Sequence, residues 1–426
     1  MKYSGIEWIG DIPKEWGVSR VKNHYTIISG SGFKPEFQGH SNGDYPVCKA
    51  SDISNAGKEL NTAANYITKQ IANSEGFSII PKGSLLFAKI GEAMKKNNRT
   101  ITSVDCCVDN NCQGLVPKNI NIGFGFYLFK CIDMEWFDNA GTIPCINNQK
   151  LLAFFLPLPP LPEQQKIADY LDRQCAQIDA VLTKTKQSIE EYKKLKNAII
   201  THAVTKGIRQ NRNFKYSNIQ WIGDIPSEWG VGKIFYCFNL IGSGTTPTSN
   251  REDYYSGDIN WLQSGDINGN IVNETSKTIT QTALNDFQTL KIYKSPFLVI
   301  AMYGASIANT SIVNIDCTTN QACCVLSEPK ENVNLKFTFY MILASKSELL
   351  LASRGGTQPN ISQEIIKNYR LPLPPLPEQQ EIADYLDTKC AQIDTLIGKK
   401  ERLLGELEAY KKSLIYECVT GKREAE

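Results

Sequence analysis

Apolar residues recur at steps of three and four in two long stretches of the chain. The first runs through Ile167, Leu171, Cys175, Ile178, Leu182, Ile189, Tyr192, Leu195 and Ile199. The second runs through Ile382, Leu386, Cys390, Ile393, Ile397, Leu404, Leu407, Tyr410 and Leu414. A spacing near 3.5 residues is the seam of a coiled coil. Thr185 and Lys400 interrupt it, and Gly398 and Gly405 each weaken the second helix by about 1 kcal/mol relative to Ala. Both stretches follow LPLPPLP, after which Pro162 or Pro377 suits a first helical turn and Glu163 or Glu378 the positive end of the dipole. Each pattern predicts a helix of about 43 residues, on the order of 65 Å long. Neither helix buries its seam alone, so the two are expected to pair antiparallel and hold the remaining parts of the chain apart, the alternative being a helix folded back on its own module.

Those remaining parts have a different texture. They are rich in Gly, Asn, Ser, Thr and β-branched residues, and short apolar runs such as SLLFAKI (84–90) and FLVIAMY (297–303) read as strands between turns. FGFYLFKCI and TFYMILASKSELLL are the candidate helices there. Each part reads as a compact mixed α/β module.

The chain repeats itself. IEWIGDIPKEWGV (6–18) and IQWIGDIPSEWGV (219–231) match at eleven of thirteen positions, at an offset of 213. LPLPPLPEQQKIADYLDRQCAQID (156–179) and LPLPPLPEQQEIADYLDTKCAQID (371–394) match at twenty-one of twenty-four, at an offset of 215. Fainter echoes pair GSGFKP (30–35) with GSGTTP (242–247), GDYPVCKASDI (43–53) with GDINWLQSGDI (257–267), and GTIPCI (141–146) with GTQPNI (356–361). Elsewhere the halves differ at nearly every position. A shared scaffold with different contents predicts one device used twice on two targets.

Composition narrows the chemistry. Over 426 residues, 46 Lys and Arg stand against 44 Asp and Glu, a net charge of +2. That balance excludes a broadly basic surface but leaves room for a local basic groove. The charge is uneven: 156–210 carries +3 and 371–426 carries −3, which favours pairing of the two helices, modestly where they are exposed. No run approaches the roughly 20 apolar residues that span a bilayer, and the first residues lack a signal peptide's apolar core, so a cytoplasmic protein is expected. The thirteen cysteines form no CxxC pair, and only His24, His40 and His202 exist, so buried thiols in a reducing compartment are expected and a metal site is not. No GxxxxGK[ST] loop occurs, and the only Pro–Pro pairs sit inside LPLPPLP rather than in an [ND]PP[YF] methyltransferase loop. The Gly-Phe-Gly at 123–125 has no supporting motif around it. A catalytic role is therefore not expected. Candidate ligand contacts are the cations of KIGEAMKKNNR, namely Lys89, Lys95, Lys96 and Arg99, and the GSGxxP turns, whose backbone N–H groups and hydroxyls suit phosphate oxygens.

The repeated LPLPPLPEQQxIADYLD, the WIGDIPxEW segments and the AVTKG (203–207) and CVTGK (418–422) endings together resemble the specificity subunit of type I restriction–modification enzymes. The resemblance covers nearly the whole chain. It implies an α+β architecture with an internal pseudo-twofold repeat. Two mixed α/β target-recognition domains, at 1–155 and 210–370, would be separated by helical regions at 156–209 and 371–426 that form an antiparallel coiled coil. Each recognition domain would read one half of a bipartite double-stranded DNA target, and the helices would set the gap. Implied partners are two modification subunits and two restriction subunits, with S-adenosylmethionine, ATP and Mg2+ on those partners and no cofactor on this chain. Gly30, Ser31 and Lys34, with Gly244, Thr245 and Thr246, match the family's turn early in each domain. Asp52 and Asp266 close its Gly-Asp-Ile-like segment. Tyr303 lies in a Tyr-Gly turn that the first half replaces with Lys89-Ile90-Gly91. Ile167, Leu171, Ile178, Leu182 and Ile189, with Ile382, Leu386, Ile393, Leu404 and Leu407, are the expected pairing and docking positions. A self-sufficient restriction enzyme or methyltransferase, and a coiled-coil adaptor without a DNA role, are the alternatives. The DNA target, the gap length and the residues that touch bases are not legible in the sequence.

Overall fold

Strand pairing joins the two most strongly repeated blocks. In the computed structural model, which describes residues 1–353 and 359–425, the LPLP run is a strand, Phe155–Leu158, antiparallel to Gly17–Arg20 just past Trp16. The second copy does the same with Arg370–Leu373 and Gly230–Lys233. A two-stranded ribbon tolerates the prolines because each strand has an edge with no ladder to serve. Blocks about 140 residues apart in sequence are thus one structural element, made twice.

The helices follow directly. The first spans Leu161–Lys206 and the second Leu376–Val419, each continuous, including Gly398 and Gly405. By internal packing the chain forms two units, Met1–Lys186 with the segment from Arg402 onward, and Gln187–Glu401. Each unit therefore contains a module, the start of the helix that follows it, and the end of the other helix.

In the first unit Ile167, Leu171, Ile178 and Leu182 share a buried core with Leu414, Ile415, Cys418 and Val419, and Leu404 and Leu407 pack against it. Asp179 accepts from Lys411 at 2.6 Å, and Lys186 lies 3.8 Å from Glu408. As one helix ascends the other descends, so the segments are antiparallel. In the second unit Ile382, Leu386 and Cys390 share a core with Ile200, Ala203 and Val204, while Ile189 and Ile393 are also buried. Lys196 donates to Asp394 at 2.7 Å, and Lys400 stands 5.7 Å over the ring of Tyr192. Asp179–Lys411 and Asp394–Lys196 are one pair of repeat positions used in both units. The seam interruptions are also placed: Thr185 is buried in it, and Lys400 uses the aromatic face instead of a buried charge.

The modules have one topology. A five-stranded sheet runs Tyr25–Ser29, Cys112–Pro117, Leu85–Ala88, Arg99–Thr102, Glu59–Leu60, antiparallel except for the last pair. Its counterpart runs Phe238–Gly242, Cys323–Pro329, Phe297–Ala301, Thr310–Val313, Ile271–Val272, with the same directions. A three-stranded sheet accompanies each, centred on Tyr45–Cys48 and on Tyr255–Leu262. The predicted helices form at Ile122–Lys130, Leu335–Ala344 and Lys346–Leu351. All thirteen cysteines are free, and eleven are buried.

The repeated EQQ docks module to helix. Gln164 Oε1 accepts from the Asn121 backbone N–H at 2.8 Å, its amide donates to Pro159 O at 2.8 Å, and Asn121 Nδ2 donates to Gln165 at 2.6 Å. Gln379, Pro374, Asn334 and Gln380 reproduce these bonds at 2.8, 2.9 and 2.6 Å. The last residue of IADYLD completes the joint: Tyr127 donates to Asp172 at 2.6 Å and Tyr340 to Asp387 at 2.8 Å, each beside a lysine, Lys58 or Lys336. Burial and the adjacent carboxylate both push these tyrosine hydroxyls well above their usual range. The second unit adds a buried ion pair: Arg212 joins Glu378, which also accepts from Trp229 Nε1 at 3.0 Å. With side chains only 7% and 2% exposed, neither charge has water to fall back on. Arg212→Leu should therefore destabilise the second unit by about 3–5 kcal/mol, by leaving Glu378 unpaired. Arg209→Leu, whose partner Glu381 is exposed, should cost no more than about 1 kcal/mol. Urea unfolding of the purified chain checks this ordering.

Candidate nucleic-acid interface

Three segments meet at the same corner of each module. They are the turn after the first strand of the five-stranded sheet, the tip before its second strand, and the loop after its third. In the first module Ser31 bridges Asp109, and Lys89 N–H donates to Asn111 O at 2.8 Å. In the second, Gly244 N–H donates to Thr319 Oγ1 at 3.0 Å, and Met302 N–H donates to Ala322 O at 2.7 Å. The loop then bridges a returning segment, Ile90 to Cys145 and Tyr303 to Asn360.

The turn's glycines are dictated by backbone approach. A Cβ on Gly30 would lie 1.8 Å from Asp109 O, and one on Gly244 would lie 1.7 Å from Thr319 O. No side chain other than hydrogen fits. This corrects the pairing of GSGFKP with GSGTTP. Ile28 pairs with Gly114, two residues past Cys112, and Gly242 pairs with Val325, two past Cys323. Cys112 and Cys323 both sit opposite the last residue of the third strand, Ala88 and Ala301. Gly244, not Gly242, is therefore the counterpart of Gly30, and the shared GSG strings are two residues out of register. The later anchors keep the same offset of 214. Asp52 accepts from Lys49 N–H at 2.7 Å, and Asp266 from Gln263 N–H at 2.9 Å. Their second oxygens hold Ala64 N–H and Ser276 N–H. These aspartates shape turns. The first half of the echo at 356–361, residues 356–358, lies outside the described residues.

What the corner displays differs between modules. In the second, Gln321 accepts from Thr246 Oγ1, and partial burial pushes the Tyr303 hydroxyl up. Trp261 Nε1 donates to Thr245 O at 3.2 Å and Tyr255 donates to Pro247 O at 2.6 Å, fixing the turn from beneath. Thr246 and Gln321 are exposed. The result is a neutral, preorganised set of amide and hydroxyl groups, the inventory that hydrogen-bonds base edges. In the first module the turn is more charged and aromatic. Lys34 is exposed and pairs with Glu75 at 2.7 Å, which holds its ammonium above the usual range. Lys49 lies 5.2 Å over Phe33 and donates to Gln38 at 2.9 Å.

The cationic run 89–99 divides. Lys89 is half-buried at the corner, and Lys95 and Lys96 are exposed, Lys95 with Glu92 at 2.8 Å. Arg99 is not a surface cation. It is 2% exposed, and its guanidinium donates to the carbonyls of Asn97, at 2.7 Å, and Ile132. Burial depresses its pKa to about 10, and it pins the loop to the module interior rather than reaching outward. The strand pattern RTIT concealed this because every side chain there, alternate faces included, is buried. Gln321 was missed because it lies in no repeated string. Its signal is positional, through the equivalence of Asn320 and Asp109 at the turn before the second strand, where each accepts from the N–H two residues on.

Comparison with known proteins now fits this geometry. The model of the type I restriction modification DNA specificity domain matches residues 13–191 and 226–404. The chain belongs to that family. It is 26% identical over 431 residues to the MjaVIII specificity subunit of a type I restriction enzyme from Methanocaldococcus jannaschii, covering 96% of this chain and 93% of that one. Among solved structures, it matches a chain from work on complex assembly and conformational transition of the type I R-M system. That match has a TM-score of 0.76 at 16% identity, covering 97% and 100%. It also matches the HsdS subunit from Thermoanaerobacter tengcongensis, with a TM-score of 0.56 at 17% identity, covering 97% and 98%.

Gln321→Ala removes the acceptor that fixes the Thr246 hydroxyl at the corner. It should relax base preference in one half of the recognised sequence and leave the other half intact, as read by methylation mapping.

Proposed function

We propose that the chain is the non-catalytic DNA-recognition subunit of a type I restriction–modification complex, in which each module reads one half of a bipartite sequence. The observation that carries this reading is one topology and one docking joint made twice, with the three-segment corner presenting different groups in each copy. Two fixed readers with unlike contents suit a target with two unlike specified parts. Modification and restriction subunits, two of each, are the partners this reading assigns. S-adenosylmethionine, ATP and Mg2+ act on those subunits, and the complex works in the cytoplasm. Among the described residues no helix is long and apolar enough to cross a membrane.

The helical pair is assigned the spacing. A helix advances 1.5 Å per residue, and B-DNA about 34–36 Å per 10–10.5 base pairs. In cells carrying this chain with its modification subunit, adenine-methylation sequencing should return two short specified parts flanking an unspecified gap. One continuous motif would refute the reading. Four residues inserted into the first long helix, about 6 Å, should lengthen the gap by one to two base pairs without changing either part. An unchanged gap would remove the spacing role.

A further inference from the structure

The first unit carries a feature that the second does not share. The module, the first half of the first long helix and the last turns of the second line a groove of about 1010 Å³. Seven lysines line it against three carboxylates, Asp133, Asp179 and Glu408. Four of the lysines are engaged: Lys58 by Asp172, Lys95 by Glu92, Lys186 by Glu408 and Lys411 by Asp179. Lys96, Lys130 and Lys412 have no carboxylate within 4.0 Å among the described residues, and all three are exposed. They come from three elements: the 89–98 loop, the end of the Ile122–Lys130 helix, and the second long helix. Lys130 is crowded as well. Partial desolvation, then Arg99 and Lys411, hold its ammonium below the usual range, so the groove has an unmet demand for negative charge.

The internal repeat provides the control. At the matching offsets of 213 and 215, Lys130 becomes Leu343, Lys186 becomes Glu401 and Lys412 becomes Asn197, while Asp133 becomes Lys346 and Glu408 becomes Lys193, lysines that Asn309 and Glu190 engage. The loop that supplies Lys95 and Lys96 becomes MYGASIAN (302–309), with no cation. The shared joint persists, with Lys336 on Asp387 and Lys196 on Asp394. The additional charge is therefore not needed to dock a module on its helices.

The geometry points to this groove as a seat for the DNA phosphate backbone, present in the first unit alone. It deepens the DNA-recognition reading and rests on it. The loop connects the two places: Lys89 is held at the reading corner, and Lys95 and Lys96, a few residues on, line the groove. A strand whose bases meet the corner runs its phosphates toward three ammonium groups that no carboxylate pairs, of which Lys130 stands 5.3 Å over the Phe126 ring. Lysines on separate elements supply charge without a fixed fork, which suits sequence-independent contact rather than base reading.

The test uses the complete chain assembled with its modification subunits. A K96A/K130A/K412A variant is compared with a K215A/K277A/K399A control, whose lysines are exposed in the second unit. Binding to the cognate duplex is titrated across salt concentrations. The groove variant should bind more weakly, and its log–log salt slope should be shallower by about two to three, given roughly 0.9 per phosphate contact. The control slope and the methylated motif should both be unchanged. A wild-type slope in an assembled groove variant overturns the proposal. So does a changed motif, which would mean that bases are read there, or a loss of assembly alone, which would mean that the groove meets an acidic partner surface. Failure of the wild-type complex to bind its motif would instead defeat the underlying DNA reading.

Discussion

A helix of more than forty residues with one apolar stripe has to cover that stripe along its length. This requirement organises the chain. Each long helix begins against its own module and ends in the core of the other unit, so Leu414, Ile415, Cys418 and Val419 close the first unit while Ile200, Ala203 and Val204 close the second. Neither half of the sequence is a folding unit as written. The cores are completed by exchange, and the ion pairs Asp179–Lys411 and Asp394–Lys196 mark the same exchange on the surface.

The joint between module and helix explains what the two copies hold in common. About half of the residues that pair in the two-stranded ribbons, the glutamines that satisfy Asn121 and Asn334, and the aspartates that hold Tyr127 and Tyr340 belong to repeated strings. An unsatisfied buried amide costs about 1–3 kcal/mol, enough to fix such positions. Away from the joint, side chains need only complete a sheet or face solvent, and there the copies diverge. Function is concentrated in that divergent part, on a scaffold whose geometry does not depend on it.

Much of this was legible. The seam positions follow from periodicity, the duplication from repeated strings, and the strands at 85–88 and 297–301 from short apolar runs between turns. What stayed hidden depended on the third dimension. The GSG strings look equivalent but are two residues out of step, since the close approach of Gly30 and Gly244 to a neighbouring carbonyl, not the string, defines the turn. Arg99 looked like a member of a cationic run, yet it lies on a strand whose two faces are both buried. Lys130 and Lys412 lie 282 positions apart in the chain, so no local pattern joins them in one groove.

The two modules are interchangeable readers on one kind of seat. The most direct measurement transplants residues 13–158 in place of 226–373, keeping both long helices, and sequences methylated adenines in cells that also carry the modification subunit. The second specified part should become a second copy of the first, in inverted orientation, with an unspecified gap still between the parts. An assembled, active complex that still recognises the original second part would contradict it.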